Sequence, residues 1–158
     1  GPNGIGKSTL LRTLADGKDP GAVITKGVKV GYYKQDFSGL DFNVTAYASL
    51  AAMMDEPDNE TIRRTGAKFL LDGDALATMV GALSEGQKGL LCFARFVLQK
   101  PSLLIFDEPT NHINFRHLPV IARAMNDYDG CMLVVSHAED FVKQIRFDRT
   151  LDLATLIK

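Results

Sequence analysis

Net charge, cysteine and long apolar runs are all scarce in this 158-residue sequence. Its 18 lysines and arginines nearly balance its 19 aspartates and glutamates, and the formal net charge is −1. The chain as a whole therefore has no electrostatic footprint for nucleic acid or anionic lipid, and any such contact must come from a local patch or from sequence elsewhere. The sequence contains no signal peptide and no uncharged apolar run of membrane-spanning length, so we expect no insertion into a membrane.

The two cysteines do not form a framework for a metal or a disulfide. Cys92 and Cys131 are far apart, and each lies in an apolar run. This usage is typical of reduced, buried thiols in a cytoplasmic protein. With 46% hydrophobic and 23% charged residues, the composition indicates one ordinary globular domain with a sizeable core.

The first eight residues match a phosphate-binding pattern, in which two glycines with four residues between them precede lysine and serine. The motif consists of Gly1, Pro2, Asn3, Gly4, Ile5, Gly6, Lys7 and Ser8. Glycine lets the backbone approach phosphate oxygens closely, and the N–H groups of the loop and the following helix attract an anion. We expect Lys7 to reach the β- and γ-phosphates and Ser8 to bind Mg²⁺. The alternative is a glycine-rich turn that only caps a helix.

Apolar segments alternate with helical patterns along the chain, which predicts an α/β fold with a mainly parallel sheet. The predicted helices run from Lys7 to Ala15, Thr45 to Met54, Glu60 to about Leu71, Ser84 to Pro101, about Phe115 onward, and Ala138 to Ile145. The predicted strands run from Gly27 to Lys34, Ser102 to Phe106, Cys131 to Val135 and Thr150 to Leu153. Residues 44–98 lack strand signals and are predicted to form a helical insertion between core segments 1–43 and 99–158.

Polar side chains follow three of the predicted strands directly. They are Gln35, the pair Asp107 and Glu108, and the pair Ser136 and His137. Ligands of open α/β sheets bind at the carboxyl ends of the strands, so we expect these groups to face the phosphate loop. Asp107 suits Mg²⁺, and Glu108 is placed to polarise an attacking water. The alternative is that Glu108 is a solvent-facing turn residue and His137 a structural histidine.

The order and spacing of these motifs resemble an ABC-type ATPase domain, whose fold is a P-loop NTPase core with an inserted helical subdomain. The resemblance involves Gly1 to Thr9, Gln35, Leu83 to Gln87, Phe106 to Pro109, and His137. It implies that ATP and Mg²⁺ are bound, with Gly1 to Thr9 holding the phosphates and Ser8, Asp107 and Gln35 serving the metal. It also implies catalytic roles for Glu108, His137 and Gln35.

A second ABC domain is the first partner that the resemblance implies. Ser84 and Gln87 form a capping box, S-x-x-Q, before an apolar helical run. In ABC domains the corresponding helix presents its N-terminus to the γ-phosphate that another domain holds. Ser84, Gly86 and Gln87 are therefore expected to contact the nucleotide of that second domain, and one domain alone is expected to hydrolyse ATP poorly.

The stretch from Asp107 to Ile113 is similar to the soluble ABC-F proteins, which carry two such domains and act on ribosomes. This resemblance implies a cytoplasmic translation factor that contacts rRNA through parts outside this chain. The alternatives are the ATPase subunit of a membrane transporter and an ATP-dependent clamp that does not hydrolyse. Extending the reading frame would distinguish them, since a second ABC domain with a basic linker favours the first and membrane spans favour the second.

Three features depart from the family pattern. Glu85 replaces the usual glycine of the signature, which puts a carboxylate near the phosphates of the partner domain. Asn114 replaces the aspartate that helps to couple the two sites. The strand before Gly1 and the aromatic residue that stacks on adenine are missing, so we expect this chain to be a fragment that folds poorly or binds ATP weakly by itself.

Overall fold

A computed structural model describes residues 7–17, 21 and 23–151 of the chain. The first described element is helix α1, Lys7–Ala15, which has the predicted bounds. Leu11 is its buried residue, and Leu10 on the same side is 37% exposed. The helix is followed by Gly17, whose φ of +65° is the left-handed conformation that favours glycine after a helix.

Three parallel strands form the described sheet, in the order β1, β2, β3. They are β1, Val30–Tyr33; β2, Leu103–Asp107; and β3, Cys131–Val135. Tyr33 pairs with Phe106, and Asp107 pairs with Val135. Strand β2 is buried between its two neighbours, as its continuous apolar sequence predicts. The predicted α/β class with a parallel sheet is confirmed.

The outer strands differ from the sequence prediction in burial. The alternating sequence predicts that Val28, Val30 and Tyr32 form the inward face of β1. Its buried residues are instead Gly31 and Tyr33, whereas Val30 and Tyr32 are only half-buried. Gly31 is buried because side chains of β2 and of a later helix pack on it: a Cβ there would lie 2.7 Å from Leu104 Cδ2 and 3.0 Å from Phe96 Cε1. Strand β3 is half-buried despite its apolar sequence, and Cys131 at its start is exposed. It pairs on only one side within the described sheet.

Four α-helices lie between β1 and β2, each begun by a polar side chain that accepts a backbone N–H. They are α2, Ala46–Ala51; α3, Asn59–Lys68; α4, Gly73–Ala77; and α5, Glu85–Gln99, with a 3₁₀ turn, Val80–Ala82, before α5. The four N-caps are Thr45, Asp58, Asp72 and Ser84. This region matches the span predicted to be helical; its status as a separate subdomain stays a prediction.

Two helices in this region depart from their predicted bounds. Helix α2 ends at Ala51 rather than near Met54, and α3 ends at Lys68 rather than near Leu71. The helical pattern predicts that Ile62, Phe69 and Leu70 face inward, but Leu70 is 50% exposed with φ of +58°, and Leu71 is buried instead. The left-handed conformation of Leu70 ends the helical periodicity, so that Leu71 faces the core in its place. The spacing of apolar residues cannot predict this change of backbone conformation. In α5, Val97 is 39% exposed rather than inward.

The segment after β2 returns through a 3₁₀ turn, Phe115–His117, and helix α6, Leu118–Asn126. Pro119 lies in the first turn of α6, where its missing N–H costs no hydrogen bond. Helix α7, Glu139–Val142, follows β3 and is shorter than predicted. Thr150 and Leu151 are in no strand, and the rest of the predicted last strand lies outside the described residues.

An aromatic cluster joins helix α5 to the sheet and thereby sets where the strand ends lie relative to it. Phe93 of α5 stacks on Phe106 of β2 with ring centroids 5.2 Å apart, and it also contacts Tyr33 of β1 at 5.3 Å. Offset aromatic pairs of this kind contribute about 0.5–1.5 kcal/mol each beyond their burial. Within residues 7–17, 21 and 23–151, no helix has the length and apolar character to cross a bilayer.

Candidate functional site

The structure brings together the polar groups at the carboxyl ends of the three strands. Gln35 lies two residues after β1, and its Nε2 donates a hydrogen bond to the backbone oxygen of Asp107 at 3.0 Å. Asp107 ends β2, and His137 follows β3 by two residues. The parallel register places all three strand ends at one edge of the sheet, because paired parallel strands finish side by side.

Glu108 is held by backbone and side chain against the end of β3. Its N–H donates to the backbone oxygen of Val135 at 2.8 Å, which extends the strand pairing by one residue. Its Oε2 accepts from the backbone N–H of His137 at 3.1 Å. Its φ is +49°, a conformation that costs a residue with a side chain of order 1–3 kcal/mol and persists where the surroundings enforce it.

His137 lies between Lys7 and Glu108. Lys7 Nζ is 3.0 Å from His137 Nε2, and a lysine ammonium can only donate, so Nε2 accepts in this arrangement. The same Nε2 is 3.4 Å from Glu108 Oε1. That oxygen is buried and has no hydrogen-bond partner among the described residues. A buried carboxylate oxygen without a donor is a position where a water or a cation would be stabilised.

Asp107 and Glu108 provide the hard oxygen atoms that Mg²⁺ prefers. Asp107 is 7% exposed, and a buried carboxylate is stabilised by a bound cation beside it. Within the described residues, no group of three or more histidine, cysteine, aspartate or glutamate side chains is arranged to hold a metal ion. Mg²⁺ keeps several waters and uses one or two carboxylates together with substrate phosphates.

The phosphate-loop residues are described only from Lys7 onward. Gly1, Pro2, Asn3, Gly4, Ile5 and Gly6 lie outside the described residues. Lys7 is half-buried at the start of α1, and Ser8 and Thr9 are exposed on its first turn. Lys7 is thus directed to the strand edge at His137, while the anion-binding role of the loop stays a prediction.

The capping box at the start of α5 is confirmed. Ser84 Oγ accepts the N–H of Gln87 at 3.2 Å, and Gln87 Oε1 accepts the N–H of Ser84 at 3.0 Å. The side chains of Ser84 and Gln87 bond to each other, and within the described residues neither bonds to Glu108 or His137. The predicted contact of Ser84, Gly86 and Gln87 with the nucleotide of a second domain stays a prediction.

The two substituted positions of the family pattern both make defined local contacts. Glu85 Oε2 lies 3.1 Å from His112 Nδ1. The side-chain oxygen of Asn114 accepts the N–H of Arg116 at 3.0 Å and caps the 3₁₀ turn, a role that asparagine and aspartate fill equally well. No role for His112 is predicted from the sequence. Its position inside the motif from Asp107 to Ile113 is the one feature of the sequence that could have pointed to it.

Comparison with known proteins decides the family. The model of the family described as ABC transporter matches residues 1–111. The chain belongs to the ABC transporter family. Its similarity to curated proteins includes YdiF of Bacillus subtilis, 41% identical over 98% of this chain and 24% of that protein. It also includes human ATP-binding cassette sub-family F member 3, 33% identical over 92% of this chain and 21% of that protein.

This ABC-family chain spans about a quarter of the length of the curated relatives it matches. Two solved structures show its fold. The dimeric post-hydrolysis ATP-binding cassette MJ0796, bound to ADP and Pi, matches at TM-score 0.72 and 20% identity, over 90% of this chain and 75% of that one. The complex of archaeal stalk protein aP1 with recycling factor aABCE1 matches at TM-score 0.71 and 24% identity, over 92% and 29%. The fold is that of an ABC ATPase domain.

Proposed function

We propose that this chain is the ATP-hydrolysing module of an ABC-F type translation factor. The observation that supports hydrolysis is the contact of Lys7, His137 and Glu108 at one edge of a parallel sheet. Phosphoryl transfer to water depends on positioning and on charge stabilisation, and these side chains supply both in one place. Glu108 accepts from an attacking water, Lys7 contacts the phosphates, and His137 lies between them.

Asp107, Ser8 and Gln35 would hold Mg²⁺, which neutralises charge on the phosphates when bound. Gln35 is already tied to β2 through the backbone oxygen of Asp107. The Gln35 side chain therefore links the end of β2 to the segment that follows β1. Residues Gly1 to Thr9 form the phosphate cradle in this proposal, and His137 exchanges its contact with Lys7 for one with the substrate.

The working unit is a pair of ABC domains with nucleotide between them. The first turn of α5 offers N–H groups and the positive end of its dipole to the γ-phosphate that the second domain holds, with Ser84, Gly86 and Gln87 at the contact. The dimeric, post-hydrolysis structure of the ATP-binding cassette MJ0796 supports this arrangement. The second domain belongs to the same full-length protein or to another copy of it.

A ribosomal role is supported by the relatives and by the sequence after β2. The curated relatives include sub-family F members, and one structural match is an archaeal ribosome recycling factor in complex with a ribosomal stalk protein. The motif from Asp107 to Ile113 resembles the same branch. With a net charge of −1, the chain would contact rRNA through parts of the protein outside it, in the cytoplasm.

The test is Glu108→Gln in the full-length protein. Replacing the carboxylate by an amide removes the group that accepts the proton of water and keeps the side-chain volume, so hydrolysis should fall about 100-fold or more while ATP stays bound. We expect this variant to cosediment with ribosomes when ATP is present. Steady-state phosphate release and sucrose-cushion sedimentation measure the two effects.

Lys7→Ala is the matched control, because it removes the phosphate contact and should abolish both nucleotide retention and cosedimentation. A Glu108→Gln variant that retains ATP but stays ribosome-free would reject the translation role and leave the ATPase assignment standing. Wild-type protein that binds ATP without releasing phosphate would instead support the clamp without hydrolysis.

A further inference from the structure

Glu85 and His112 form a contact that joins the first turn of α5 to the loop carrying Glu108. Glu85 Oε2 lies 3.1 Å from His112 Nδ1, and the side chains are 69% and 42% exposed. An ionised carboxylate only accepts, so Nδ1 carries the hydrogen of this bond. The carboxylate is consequently directed at the loop and held there, rather than extending freely from the N-terminus of the helix.

Backbone packing at the same place brings the two segments close. A Cβ on Gly86 would lie 3.6 Å from the backbone oxygen of His112, and a Cβ on Gly89 would lie 3.1 Å from Ile113 Cγ1. These two glycines lie one helical turn apart and leave this face of α5 without side chains. Residues 112–113 pack against it. The His112 ring also meets the Phe37 ring edge-on at 6.1 Å, two residues beyond Gln35.

The loop that carries His112 has a defined conformation. His112 has φ of +73°, and the N–H groups of Asn111 and Ile113 donate to Glu108 and Thr110 oxygens at 3.1 Å each. Histidine adopts this left-handed region more readily than most residues with a side chain. Hydrogen bonds within this turn therefore fix the backbone of His112 relative to the backbone of Glu108.

The contact between Glu85 and His112 matters because of the charge that Glu85 carries at the N-terminus of α5. Glu85 occupies the first position of α5, where a carboxylate stabilises its own helix and repels any phosphate that approaches the same terminus. A bond from His112 turns the carboxylate aside and offsets part of its charge. Asn114, neutral and used as a cap, adds no further negative charge to this face.

We propose that His112 is a positioning residue for ATP hydrolysis, which holds the Glu85 carboxylate away from the nucleotide of the second domain. The proposal rests on the nucleotide sandwich proposed above. It predicts that His112 matters only while position 85 carries a negative charge. A purely structural His112, acting through Phe37 or the turn, would matter whatever residue occupies position 85.

The experiment is a double-mutant cycle on ATPase kinetics of the full-length protein, with His112→Asn, Glu85→Gln and both together. Asparagine tolerates the left-handed backbone, so the turn should survive, and thermal unfolding checks that it does. We expect His112→Asn to raise the KM for ATP by about two- to fivefold, the range for an exposed charged pair at a helix terminus, with kcat within about twofold. In the Glu85→Gln background the same change should leave KM unaltered.

Arg64→Ala is the matched control, since Arg64 forms an exposed pair with Glu60 at 3.5 Å on α3 and should not change KM. An equal rise of KM in both backgrounds, or no rise in either, would overturn the role of His112. Failure of the wild-type protein to hydrolyse ATP would instead reject the proposed function. The two failures are therefore distinguishable.

Discussion

At the scale of single residues, Glu108 combines two features that each cost free energy in the folded chain. It has a positive φ, and its buried Oε1 has no hydrogen-bond partner among the described residues. The N–H of His137 and the backbone oxygen of Val135 hold it in place. Strain of this kind at strand ends is typical of functional sites, where the fold keeps a side chain poised for a ligand.

Two acids near the aromatic cluster, the half-buried Cys92 and the buried Tyr33, predict alkaline destabilisation. Burial raises the pKa of Cys92 from 9.0 to about 12. Burial is also the main cause of the raised pKa of Tyr33, and the charge of Cys92 raises it further. Because the unfolded chain loses these protons first, their stabilising contribution is complete below pH 9 and declines as pH rises towards 12. The expected slope is up to about 1.4 kcal/mol per pH unit for each group.

Urea unfolding of the protein between pH 8 and 11 measures this slope. Cys92→Ala should make the curve flatter, whereas Ser102→Ala, at an exposed residue that does not titrate, should leave its shape unchanged. Identical pH dependence in the two variants would contradict the assignment to Cys92. Cys131 is exposed and Cys92 is half-buried, which corrects the expectation that both thiols are buried.

At the scale of elements, helix α5 connects most parts of the molecule. Its N-terminal turn carries the capping box, its middle packs Phe93 on β1 and β2, and it ends at Gln99 before Lys100, which has φ of +47°. The local signals for its start and end were readable because caps depend on residues only three or four positions apart. The face that meets the sheet required the tertiary structure.

Loss of the capping box should destabilise the protein measurably. Ser84→Ala removes the acceptor for the N–H of Gln87 and is expected to cost about 0.5–2 kcal/mol of unfolding free energy. Ser102→Ala is the control, since Ser102 is exposed and its hydroxyl makes no hydrogen bond in the described part of the chain. Denaturant unfolding compares the two. Equal stabilities would show that the cap is unimportant in this context.

At the scale of the whole molecule, the polar groups at the strand ends and those at the start of α5 make separate sets of hydrogen bonds. Glu108 contacts His137, and Gln35 bonds to the backbone oxygen of Asp107, whereas Ser84 and Gln87 bond to each other. Under the proposed sandwich, each domain completes the site of the other. Contacts at the start of α5 can then change activity without changing the stability of the domain that carries them.

Gly86→Ala tests that separation. A Cβ there meets only the His112 oxygen at 3.6 Å, so the fold should accept it, and unfolding free energy should stay level or rise by up to about 1 kcal/mol. ATP turnover of the full-length protein should nevertheless fall about tenfold or more, because the methyl displaces the phosphate of the second domain. Gly73→Ala, a helix-start glycine with open space around it, serves as control. Unchanged turnover in Gly86→Ala would argue against the sandwich contact.

The sequence by itself determined the α/β class, helix α1, the bounds of β3, the cap of α5 and the order of the motifs. These features depend on side chains within a few positions of one another, where periodicity and capping chemistry act. It also placed Gln35, Glu108 and His137 at strand ends. Their catalytic and binding roles stay predictions.

Only the tertiary structure decided which face of β1 is buried, why Leu70 is exposed, and which partners His137 and Glu85 have. Lys7 and His137 are 130 positions apart in the chain, and Glu85 and His112 belong to different elements. Such contacts follow from the parallel register and from the close packing of α5 on the sheet, which no local pattern contains. The left-handed backbone at Glu108 has the same origin, since hydrogen bonds with Val135 and His137 enforce it, whereas the left-handed backbone at His112 lies within a local turn.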